Sequence, residues 1–107
     1  ASLELFVDET RRLYIPNVFS PNNDGMNDYF TVYGSDMIQT IKNMRVFNRY
    51  GAIVFEAFDF QPDDELKGWD GRFNQQEAAS DVYVYLMEIT FINGETQVYT
   101  GDVSLMR

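Results

Sequence analysis

The sequence predicts an all-β fold, an immunoglobulin-like antiparallel β-sandwich of about seven strands. Three observations predict it. Apolar residues alternate with period two instead of recurring at helical spacing, β-branched and aromatic residues fill the segments that do so, and Asn, Gly and Pro punctuate the chain between them. At 107 residues, with 45% hydrophobic and 16% aromatic content, the chain forms one domain large enough to bury a core without disulfide or metal support.

Residues 13–19 and 29–33 read as two short strands, with Pro16 confined to an edge or a bend because it has no N–H for a ladder. Residues 38–41 carry a weaker strand signal. A hairpin is expected over residues 44–56, with Asn48, Arg49, Tyr50 and Gly51 at its turn. Residues 57–80 change character: Asp59, Asp63, Asp64 and Glu65 mark a long acidic connection, and residues 75–79 suit a short helical turn. Residues 82–92 read as the central strand. Its first half, Val82 to Met87, is apolar on both faces, and Tyr83, Tyr85, Met87, Ile89 and Phe91 share the face expected to point inward. Asn93-Gly94 then predicts a type I′ turn, with both residues at positive φ, and a return strand over residues 95–106. Gly101 within that strand marks a bulge or a close backbone approach.

Seventeen acidic against eight basic residues give a formal charge of −9, and the two Lys and six Arg form no basic stripe. Such a surface repels phosphate backbones and anionic lipid, which argues against nucleic acid as a partner. The chain has no Cys and no His, so it lacks a thiolate nucleophile, a disulfide and the commonest general base and transition-metal ligand. No apolar run approaches the ~20 residues of a transmembrane helix. The first residue is Ala, as expected of a piece of a longer polypeptide.

Four constellations have a chemical reading. Residues 22–28 crowd oxygen-bearing side chains around Gly25, and Asn22, Asp24 and Asp28 are the candidate calcium ligands. The EF-hand spacing fails at both ends, where Ser20 and Thr31 stand for its first and last carboxylates, which favours a tight turn built from Asn and Asp side chains. Asp63, Asp64 and Glu65 with Asp59 or Asp70 contain the carboxylate pair of a glycosidase, yet read more simply as a solvated acidic loop. Trp69 suits either a recognition surface or a ring packed over the sheet, with Asp70 and Gly71 turning the chain beneath it and Asp70 free to pair with Arg49 or Arg72. The many aromatics offer a sugar-binding platform, but most fall within strands, where they belong to the core.

One ordered set of motifs spans nearly the whole chain. It comprises Pro16-Asn17-Val18-Phe19-Ser20-Pro21-Asn22-Asn23-Asp24-Gly25-Met26-Asn27-Asp28-Tyr29-Phe30, then Val46-Phe47-Asn48-Arg49-Tyr50-Gly51, Val54-Phe55, Trp69-Asp70-Gly71, Val82-Tyr83-Val84-Tyr85, and Gly101-Asp102-Val103-Ser104-Leu105-Met106-Arg107. In this order the blocks resemble the gliding-motility-associated C-terminal domain, the type B C-terminal domain of type IX secretion cargo in Bacteroidetes. Ser20, Asn23 and Asp81 depart from the family pattern without removing a block.

The resemblance implies a non-catalytic domain at residues 15–107, preceded by a linker or the end of another domain at residues 1–14. It implies that a large parent protein is directed by this domain across the outer membrane, through the periplasm, to the cell surface or the medium. The implied partners are outer-membrane components of the type IX apparatus and the covalently joined upstream cargo. Export-machinery recognition is assigned on this basis to Asn48, Arg49, Gly51, Trp69, Asp70, Gly71, Gly101, Val103, Leu105 and Arg107. No cofactor is implied, calcium being the one candidate. The alternative is a carbohydrate-binding or calcium-stabilised adhesion module of a surface protein.

Overall fold

The computed structural model of the chain describes residues 5–8, 13–22, 28–34 and 36–107. It is an all-β sandwich. The larger layer is a five-stranded sheet built on two long hairpins. Strands β5 (Ile38–Phe47) and β6 (Ile53–Phe60) form one, and β9 (Asp81–Phe91) and β10 (Thr96–Leu105) form the other. β9 pairs with β5 to join them, and the two-residue strand β3 (Val18–Phe19) runs parallel to the end of β10, giving the order β3-β10-β9-β5-β6. The smaller layer is the sheet β1-β2-β4, made of Leu5–Asp8, Leu13–Pro16 and Tyr33–Gly34.

The predicted strand over residues 13–19 is thus two strands in two sheets. The ladder ends at Pro16, whose missing N–H closes β2, and the chain crosses at Asn17 to pair with β10. Residues 38–41 are the first half of β5 and not a separate strand. Of residues 29–33, only Phe30, in an isolated bridge, and Tyr33 in β4 take strand pairing. β1 lies within the segment expected to be linker and pairs with β2 along its whole length.

Both long hairpins turn the same way. Gly51 N–H donates to Asn48 O and Asn48 N–H to Ala52 O, and Gly94 N–H donates to Phe91 O and Phe91 N–H to Glu95 O. In each, only the glycine takes positive φ, 83° and 88°, which identifies three-residue loops with a glycine bulge. The type I′ turn expected at Asn93-Gly94 is therefore not formed. Asn93 uses its side chain instead, its Oδ1 accepting from Glu95 N–H at 2.9 Å. The residue pair with φ positive at both positions is Asn74-Gln75, at 54° and 65°. It joins β7 (Arg72–Phe73) to β8 (Gln76–Glu77), so a small hairpin replaces the helical turn expected at residues 75–79. Among the described residues the one helical piece is the 3₁₀ turn Glu65–Lys67.

The inward face of β9 is the predicted one: Tyr83, Tyr85, Met87, Ile89 and Phe91 are all buried, against Ile41, Met44 and Val46 of β5 and Leu13 and Ile15 of β2. The other face of β9 departs from the expectation of a strand covered on both sides, for Val82 and Val84 are 49% and 43% exposed. Gly101 makes no bulge, since β9 and β10 keep unbroken register from Thr96 to Leu105. It is a close approach: a Cβ there would lie 2.6 Å from the Tyr85 hydroxyl.

Candidate docking end

The motif blocks, far apart in sequence, meet at one end of the sandwich. Trp69 is completely buried and packs on Tyr83 edge to face at 5.0 Å and on Phe19 at 5.3 Å; Phe30 sits 6.0 Å from Phe19 and 5.4 Å from Tyr85. Each large ring takes about 150–250 Å² out of water, so this cluster is the main apolar anchor of that end. Backbone pairing fixes it: Phe30 N–H donates to Trp69 O at 2.8 Å and Trp69 N–H to Phe30 O at 2.9 Å. The indole N–H is satisfied by Arg72 O at 2.9 Å, and the Asp70 carboxylate accepts from the Arg72 backbone N–H at 3.0 Å. Asp70 therefore shapes the turn as expected. The ion pair with Arg49 or Arg72 is not what its carboxylate makes; Arg49 reaches Asp81 instead, at 3.6 Å.

Arg107 locks the last strand to this turn. Its Nη2 donates to Gly71 O at 2.6 Å and its Nε to Ala78 O at 3.0 Å, while Nη1 lies 3.6 Å from Glu77. Its backbone N–H donates to Ser80 Oγ at 3.1 Å. A planar guanidinium suits this task because its fork of donors engages two carbonyls at once. Gly71 is in contact on the other side, where an added Cβ would fall 2.8 Å from Pro21 and 3.2 Å from Leu105. Tyr83 donates its hydroxyl to Ala79 O at 2.7 Å, and burial, reinforced by the Asp81 charge, pushes its pKa up against the opposing pull of Arg107.

Of the ten residues assigned to recognition, Asn48, Arg49 and Gly51 lie at the tip of the β5–β6 hairpin, tied to the start of β9 by the Arg49–Asp81 pair, next to the end of β10. Asn48 Oδ1 holds that tip by accepting from Tyr50 N–H at 2.9 Å and Ala52 N–H at 3.0 Å. Trp69, Asp70, Gly71, Leu105 and Arg107 complete the same end. Gly101 and Val103 lie farther along β10, opposite Tyr85 and Tyr83. Trp69, Gly71, Val103 and Leu105 are buried, so a docking partner cannot touch them directly; they hold the end in shape. Arg49 and Asp70 are exposed.

A polar groove of about 280 Å³ opens beside Arg107, lined by Pro21, Asp28, Tyr29, Asp70, Arg72 and Glu77. Asp28 accepts from Asn22 N–H at 3.1 Å, the contact of a turn. Asp24, the third candidate calcium ligand, lies outside the described residues. Among the described residues no three His, Cys, Asp or Glu side chains converge as a metal site would require. Sequence reasoning overlooked the partners of Arg107 in residues 77–80, which no pattern marks, and Tyr50, which is 86% exposed at the hairpin tip.

The geometry defines an all-β domain, with most of its motif residues gathered where its last strand ends. Residues 13–105 match the CHU_C model, described as a type IX secretion signal domain, and the chain belongs to that family. It is a targeting module, whose role is to bring an attached protein to the type IX secretion machinery for export across the outer membrane. A search of the curated proteins gave no match. No helix among the described residues is long and apolar enough to cross a membrane.

Proposed function

We propose that the domain acts only by being bound, as a folded label carried at the end of a larger cargo. It catalyses nothing, passes from the periplasm through the outer membrane with its upstream domains, and finishes on the cell surface or in the medium. The observation that carries this reading is the family match over residues 13–105, joined to the gathering of the motif blocks at one end of the fold. The absence of His and Cys supports the non-catalytic part, because the usual general base and thiolate nucleophile are missing. In this reading Arg49 and Asp70 meet the apparatus, and Trp69, Gly71, Val103, Leu105 and Arg107 keep their setting rigid. Asn22, Asp24 and Asp28 form a turn and not a calcium site, a view supported by the Asn22–Asp28 hydrogen bond.

The test is transfer of a reporter. A periplasm-directed fluorescent protein fused ahead of the full 107-residue chain should reach the cell exterior in a host with a working type IX apparatus and stay in the periplasm of a host lacking it. Equal release from both hosts would defeat the reading. Titration against a glycan panel should show no saturable binding down to the weak millimolar range, about −4 kcal/mol. Saturable binding lost on replacing Tyr50 or Phe73 would favour a carbohydrate-binding module instead.

A further inference from the structure

Among the described residues, the five-stranded sheet has its second layer on one face only. On the opposite face the register sets Ile53 of β6 beside Phe47 of β5, and Phe47 beside Val84 of β9. Val82 and Leu86 flank Val84 on the same face, since residues two apart along a strand point the same way. Ile53, Val82 and Val84 are 43%, 49% and 43% exposed, and Phe47 and Leu86 are half-buried. These five side chains form a continuous apolar patch across three strands. Farther along the face the composition turns polar: Arg45 pairs with Glu56 at 2.8 Å and stacks over Phe58, and Asn43 and Lys42 engage Glu88.

The patch lies at the end of the sheet where the motif blocks gather. Val82 follows Asp81, which holds Arg49, and Val82 also borders a shallow depression shared with Ser104, Leu105 and Met106. Asp102 sits opposite Val84 and extends the row on its acidic side. Contiguous exposed apolar surface rimmed by polar residues marks an interaction site, and Tyr and Arg, such as exposed Tyr50 and Arg49 beside this patch, are frequent anchors of such sites.

We infer that this open sheet face, centred on Phe47, Ile53, Val82 and Val84, is the surface that seats the domain on a component of the export apparatus.

 The inference rests on the targeting role above and adds where contact is made. The partner's chemistry follows from charge: a chain of net charge −9, with Asp102 bordering Val84 at the edge of the patch, fits an apolar surface with a basic rim.

The test uses the same full-length fusion. Ile53→Glu with Val84→Glu places two carboxylates in the patch, and Val98→Glu places one at the far end of the same face, where Val98 is 58% exposed. Ile53→Thr with Val84→Thr removes the apolar contact while keeping β-branched residues, so it reports on docking even if the glutamate pair impairs folding. The expected result is at least a roughly tenfold fall in exported reporter for both patch pairs. Val98→Glu should export normally, and purified Thr-pair protein should keep the parent's melting temperature. Normal export of a folded patch pair overturns the inference while leaving the targeting role intact. Failure of the unsubstituted fusion to depend on the apparatus removes the targeting role, and the inference with it. A parent chain that is dimeric in solution and becomes monomeric with the Thr pair would make a second copy the occupant, which also overturns it.

Discussion

The guanidinium of Arg107 donates to the backbone oxygen of Gly71 at 2.6 Å, across 36 positions of sequence. Through this bond and the one to Ala78, the segment after the last strand is fastened to the turn that carries Trp69. The two motif blocks therefore act as one piece of structure.

Arg107→Ala should lower stability by about 1.5–3 kcal/mol, the usual range for hydrogen bonds to a charged group. For a domain of this size that is a fall in melting temperature of roughly 4–8 °C per kcal/mol. The Glu77 contact adds little, because its carboxylate is largely exposed. Arg107→Lys keeps the charge but loses the fork and should fall nearer to Ala than to the parent. Thermal unfolding followed by circular dichroism checks both; a Lys variant as stable as the parent would show that charge alone suffices.

Gly101→Ala should destabilise by about 1–3 kcal/mol through overpacking, because the new Cβ meets the Tyr85 hydroxyl at 2.6 Å and the ring carbon behind it at 2.9 Å. Tyr85→Phe removes the nearest atom, so the double variant should recover part of the loss. A double-mutant cycle in chemical denaturation measures the coupling. Strict additivity would place the strain elsewhere.

Stability should fall above about pH 10. Burial raises the pKa of Tyr85, helped by the Asp102 charge, and burial also raises Tyr83 and Tyr33. Below the unfolded value near 10 both states hold the phenol proton and nothing is lost. As the pH rises past it, the unfolded chain gives up protons that the folded chain keeps, so the unfolded state is favoured. Urea midpoints measured from pH 8 to 11 should decline at the alkaline end, and less steeply for Tyr85→Phe.

Calcium should change the melting temperature by little. A ligand that binds only the folded state stabilises it by RT ln(1 + [L]/Kd), about 2.7 kcal/mol at one hundred times Kd, which corresponds to roughly 10 °C or more here. Differential scanning fluorimetry with calcium and with chelator reads this. A rise of that size, abolished by Asp24→Ala, would make Asn22, Asp24 and Asp28 ligands after all.

The two long hairpins and the buried face of β9 were legible in the sequence because period-two alternation and glycine-bearing turns are local signals. Three features were not. The identical pattern Val82-Tyr83-Val84-Tyr85 permits either a strand covered on both faces or one with an open apolar face, and only the placement of the second sheet decides between them. The turn at Asn93-Gly94 has a strong I′ dipeptide, yet the strands it joins meet in the register of a three-residue loop. Residues 72–77 contain no Gly at their turn, so Asn74 and Gln75 hid a hairpin. Of the candidate site, the motif residues could be named in advance, but not which of them are buried: Trp69 and Leu105 face the core while Arg49 faces water.

The most direct measurement compares the exported fraction of the reporter fused to the full chain with that of the same fusion lacking residues 101–107. The deletion removes Val103, Leu105 and the Arg107 clasp together. The intact fusion should appear outside the cell and the truncated one should remain in the periplasm; equal release of the two would contradict the account.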